Sequence, residues 1–146
     1  MELMALPITM VTAGGAALIS VWLAMRIGAI RRARGISIGD GGDQALVARM
    51  RAHANFVEYA PFILILIGVI ELTHGPSLWL WVASVVFLLA RVAHPFGMDG
   101  VRGCRMAGTV ATLGLLIVLG IYAVATPLLA PATSHAEKID LTPRQG

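Results

Sequence analysis

The sequence predicts an all-α integral membrane protein, a single bundle of four transmembrane helices. Three observations carry that expectation. Hydrophobic residues make up 58% of the chain and charged ones only 13%, with a mean hydropathy of +0.82, more than a soluble core requires. The apolar residues fall into four runs divided by glycine, proline and arginine, which end helices and mark membrane interfaces. Each span needs about 20 residues, so four of them with their turns occupy most of a 146-residue chain. One domain, over 1–131, follows.

The first span is expected over 7–30, with Pro7 where a helix start tolerates it and Arg31, Arg32 and Arg34 at its end. The run Gly39 to Asp43 then reads as a solvated loop with Asp43 as N-cap of the second span, 44–73. His74-Gly75-Pro76 is a tight turn before the third span, 77–96, which opens with the interfacial rings of Trp79 and Trp81 and ends at Pro95, Gly97 and Gly100. The fourth span, 103–129, is stopped by Pro131, and 132–146 reads as a polar tail. The chain start reads as part of the first span rather than a signal peptide, because Met1 to Leu6 carries Glu2 and no basic residue.

The net charge of +3 and pI near 9.8 suggest nucleic acid only until the arginines are placed, since they flank the spans and serve orientation. No nucleic-acid partner is expected. Arginines concentrate in the first and third loops, while the tail holds Lys138 and Arg144. Both termini are therefore expected outside and the two basic loops in the cytosol. The lone Cys104 excludes an intrachain disulfide and a cysteine-based zinc site. No internal repeat supports a transporter built from inverted halves.

Arg51, Asn55 and Glu58 follow i, i+4, i+7 spacing and so share one side of the second span. A charge near the bilayer centre costs roughly 2.5–3.5 kcal/mol, so such groups face inward and find partners. Two readings are open: a helix staple, or one wall of a binding site. Arg91 and His94, i and i+3 on the third span, sit on the same side, and an Arg91–Glu58 pair is expected. His94 is either a ligand-binding group or a packed histidine. Arg31, Arg102 and Arg105 add an anion-attracting rim, or simply anchor the helix ends. Cys104, between two arginines, reads as a reactive thiol or as a small interfacial residue. Glu71 is expected to reach water, and Met25, Met50, Met98 and Met106 to be packing residues. The four histidines are scattered and form no helical ligand pair, so no metal is expected.

Arg-Ala-His-x-Asn-x-x-Glu at 51–58, followed by Tyr59 and Pro61, resembles the signature of the MAPEG family, membrane-associated proteins in eicosanoid and glutathione metabolism. Ala90-Arg91-Val92-Ala93-His94 is similar to the matching stretch of its prostaglandin-synthase branch. The likeness covers about residues 20 to 115. It implies a homotrimer in a bacterial inner membrane, with glutathione as co-substrate bound between subunits on the cytosolic side. By the same resemblance Arg31, Arg51, Asn55, Glu58 and Tyr59 would bind glutathione and Arg105 would stabilise its thiolate; Arg91 and His94, beside them on the third span, are expected in the same binding site.

Glutathione carries two carboxylates and one ammonium, which suits several arginines and one acid. The resemblance thus implies a membrane-embedded transferase or peroxidase acting on lipophilic electrophiles or lipid hydroperoxides. The departures point the other way. Met98 stands where the eicosanoid synthases have a tyrosine, Met106 where the prostaglandin enzyme has a serine, and Ala54 where it has a second arginine. The alternative is therefore a non-catalytic member that binds a lipid or other amphiphilic anion, or a structural subunit.

Overall fold

The computed structural model describes residues 6–129 and contains four helices in up-and-down order: α1 (Pro7–Arg34), α2 (Gln44–His74), α3 (Leu78–Met98) and α4 (Cys104–Leu129). All four are long and apolar enough to cross a membrane. The tail expected over 132–146 lies outside the described residues. Asp43 caps α2 as expected, its carboxylate accepting from the backbone N–H groups of Ala45 and Leu46 at 2.9 and 3.0 Å.

Two ends differ from expectation. α1 continues through Arg34, because its terminal arginines favour the negative end of the helix dipole and Gly35 closes the turn in the left-handed region, φ 67°. α3 runs through Pro95 to Met98. Pro95 removes one helical donor, and the turn is closed beyond it. Asp99 N–H donates to the Pro95 carbonyl and Val101 N–H to that of Phe96, both at 3.1 Å.

α2 and α3 form the middle of the bundle. Each touches the other and both outer helices, while α1 and α4 occupy opposite corners and make no contact. The core is a strip of Ile19 and Leu23 from α1, Phe56, Ile63 and Ile67 from α2, Leu80 and Phe87 from α3, and Leu119 from α4. Only Gly108, Thr112 and Leu119 are buried on α4. Its outer face, with Val110, Ile117, Ile121 and Val124, is exposed. In water such a face would be a liability; against lipid tails it is an ordinary surface.

Glu71 corrects an expectation. It is 2% exposed rather than solvated, and it caps a different helix. Its carboxylate accepts from Ile8 N–H at 2.9 Å, Thr9 N–H at 2.7 Å and the Thr9 hydroxyl at 2.6 Å. The physical reason lies at the start of α1, where Leu6 offers no capping side chain. The first N–H groups of a helix have no partner within it, and a buried orphan costs several kcal/mol in a membrane. A carboxylate satisfies them and also suits the positive end of the helix dipole.

Thr12 adds a second polar tie nearby, bonding the Ser84 hydroxyl on α3 and the Ile8 carbonyl of its own helix. These contacts fix one end of the bundle. At the other end stand the last turn of α1, the first turns of α2 and α4, and the arginines.

Candidate functional site

At that basic end α2, α3 and α4 enclose a cleft of about 310 Å³. From α2 it takes Arg51, Ala54, Asn55 and Glu58, whose helical spacing aligns them on one face. From α3 come His94 and Met98, and from α4 Arg105 and Thr109. Arg105 is the second residue of α4, where unpaired N–H groups and the helix dipole add to its positive charge.

Two glycines let α3 and α4 close on this cleft. A side chain at Gly97 would fall on the Arg105 backbone, and one at Gly108 would meet the Ala90 carbonyl oxygen at 2.7 Å and His94 Cβ at 2.9 Å. Without a Cβ at either place the helices reach backbone contact. That contact sets Arg105 and His94 side by side.

Arg91 lies behind the cleft, 2% exposed, and its partner differs from the expected one. Its guanidinium donates to Asn55 Oδ1 and to the Gly108 carbonyl, both at 2.9 Å; there is no pair with Glu58. The reason is position on the wheel. Asn55 is half-buried and turned toward α3, whereas Glu58 is exposed and lines the cleft. Neutral oxygens from α2 and α4 thus satisfy two arms of the buried cation, while its Nε finds no hydrogen-bond partner among the described residues. Asn55 does bond across helices, as the staple reading expects.

His94 and Thr109 meet at the back wall. The Thr109 hydroxyl donates to the Arg105 carbonyl at 2.9 Å, and its oxygen lies 3.3 Å from His94 Nδ1. Sequence reasoning missed Thr109, although its place four residues after Arg105 puts both on one face of α4.

A second cluster was also missed. Asp99, just past α3, pairs with Arg26 of α1 and lies 3.7 Å from Arg49 Nε of α2. Arg26 also stands over the Trp22 ring, 4.9 Å from its centroid, and Arg49 donates to the Arg26 carbonyl at 3.0 Å. The signal was the one acid in an otherwise basic α3–α4 turn. This cluster ties that turn, and so the start of α4, to α1 and α2.

Other expected residues are not brought together. Arg31 bonds the carbonyls of Ile36 and Ser37 and the Met50 sulfur, so it folds onto its own loop. Tyr59 is half-buried outside the cleft, and Arg102 is exposed. Among the described residues no three His, Cys, Asp or Glu side chains are placed to hold a metal.

A model of the MAPEG family matches residues 9–125, covering most of each helix and the whole cleft. The chain belongs to the MAPEG family. It is also similar to the inner membrane protein YecN of Escherichia coli K12, with 27% identity over 91 residues, 60% of this chain and 70% of the relative. YecN of Escherichia coli O6:H1 matches to the same extent. This MAPEG chain is thus an integral membrane protein, and the long exposed apolar faces of its helices belong in lipid.

Proposed function

We propose that this MAPEG protein is a glutathione-dependent transferase or peroxidase acting on lipophilic electrophiles or lipid hydroperoxides. The carrying observation is the convergence of Arg51, Asn55, Glu58 and Arg105 on one cleft at the basic end. Arg51 and Asn55 offer donors to a carboxylate, and Glu58, which pairs with no cation among the described residues, offers an acceptor to an ammonium. Arg105 then stands for the sulfur. A free thiol has a pKa of about 8.5, and a guanidinium beside it raises the fraction of thiolate, the nucleophile.

The second substrate has its own place. A cavity of about 520 Å³ at the α3–α4 turn is lined by Val101, Met106 and Val110 and shares Arg105 and Thr109 with the cleft. An apolar electrophile entering from the bilayer would meet the sulfur at Arg105. In transfer, an S–C bond forms as the leaving group departs or a proton is taken up. In peroxide reduction, two thiols become a disulfide while the hydroperoxide becomes an alcohol and water.

The assembly is a homotrimer with its basic loops in the cytosol and glutathione held between neighbouring subunits. Supporting this orientation, nine arginines stand against Asp40, Asp43, Glu58 and Asp99 at the basic end. Turnover of a model electrophile and a lipid hydroperoxide by purified protein tests the activity. Glutathione-dependent product is the expected result, and its absence from folded protein would refute the activity.

One observation favours a second reading, a binding protein without catalysis. Met98 and Ala54 give the cleft two apolar walls, neither of which offers a polar group to the thiolate. Calorimetric binding of glutathione without turnover, or of an anionic lipid without glutathione, selects that reading.

A further inference from the structure

We infer that His94 is the proton acceptor for the thiol bound in the cleft, acting through Nε2, and that Thr109 is the positioning residue that fixes its tautomer. The inference rests on the thiol-binding reading of the cleft.

A threonine hydroxyl has one hydrogen and two lone pairs. That of Thr109 gives its hydrogen to the Arg105 carbonyl at 2.9 Å. The oxygen 3.3 Å from His94 Nδ1 is then an acceptor, so Nδ1 carries the proton in the neutral ring. Nε2 is left with a lone pair. It takes no hydrogen bond from the described residues and is not among the sealed, unpartnered atoms of the bundle, while His94 itself lines the cleft.

The ring is also held in place. Gly108 brings α4 against the His94 backbone and Cβ, and the same carbonyl that anchors Arg91 belongs to Gly108. Around the imidazole stand Arg91 on its own helix, Arg105 on α4, and Arg51 and Glu58 on α2. Within that field the S–H bond breaks, the proton passes to Nε2, and the thiolate forms beside Arg105. The transfer turns thiol and imidazole into thiolate and imidazolium, leaving the total charge of the cleft unchanged. His94 thereby supplies what the missing hydroxyls at Met98 and Met106 do not.

The test uses full-length protein in detergent with glutathione as the probe. Thiolate formation is read by ultraviolet difference absorbance, and proton release by calorimetry in two buffers of different ionisation enthalpy. The wild type is expected to form thiolate while releasing well under one proton per thiolate. His94→Gln is expected to lose most of the thiolate signal and about 100-fold in turnover, the lower range for a positioned base. Thr109→Val is expected to lower kcat about tenfold with little change in KM, and Thr109→Ser to restore it.

Unchanged thiolate and proton release in His94→Gln, or equal activity in the Thr109 valine and serine variants, overturns the inference but leaves the thiol site standing. Wild-type protein that binds no glutathione overturns the thiol reading itself. If His94→Gln fails to fold, the valine and serine pair decides, since it leaves the histidine in place.

Discussion

Arg91 donates to Asn55 Oδ1 at 2.9 Å, tying α3 to α2 directly behind the cleft. The buried cation is satisfied by neutral oxygens, one from a side chain and one from the Gly108 backbone. Glu58 is therefore not used up as a counter-ion, and among the described residues it forms no ion pair. A structural staple and a carboxylate without an ion-pair partner among the described residues thus share one helical face, three residues apart.

Removing the staple is expected to be costly. Asn55→Ala leaves one arm of Arg91 without an acceptor, and hydrogen bonds to charged groups contribute about 1.5–3 kcal/mol. Thermal unfolding in detergent is expected to show a loss of that order, with Asn55→Asp milder because an acceptor remains.

Glu58→Gln should leave stability nearly unchanged, since the side chain is exposed and in no ion pair among the described residues. Its effect is predicted on recognition. Calorimetry should show glutathione binding weakened about tenfold, roughly one charged hydrogen bond, while an analogue lacking the amine binds both proteins alike.

At the opposite end, Glu71→Gln is predicted to destabilise without touching the chemistry. One amide oxygen cannot replace two carboxylate oxygens that accept three hydrogen bonds at the start of α1. A loss of about 1–2 kcal/mol is expected, the range of a helix cap, with KM for glutathione unchanged.

Gly108→Ala is predicted to part α3 from α4, because the new methyl would meet the Ala90 carbonyl oxygen at 2.7 Å. Overpacking of this kind costs roughly 1–3 kcal/mol. Turnover should fall further than stability alone explains, as His94 and Arg105 move apart.

Much of the fold was legible because it rests on one-dimensional signals. Run length and hydropathy mark the spans, and Asp43 marks the start of α2. The stripe of Arg51, Asn55 and Glu58 was legible as a period, and the need of Arg91 for a partner as an energy. Which of Asn55 and Glu58 meets Arg91 depends on the rotation of α2 against α3, which no periodicity specifies. Glu71 was misplaced because its burial is decided by α1, 62 and 63 residues away in sequence. The Arg26–Asp99 pair joins residues 73 apart and was hidden for the same reason. Thr109 was overlooked because its role exists only once Gly108 lets α4 close on His94.

The cleft as a thiol-peptide site is tested most directly by calorimetric titration of the detergent-solubilised protein with glutathione, run beside Arg51→Ala and Glu58→Gln. Saturable wild-type binding, weakened about tenfold or more by either substitution, is the predicted result. No binding by folded wild type, or binding indifferent to both substitutions, would contradict it.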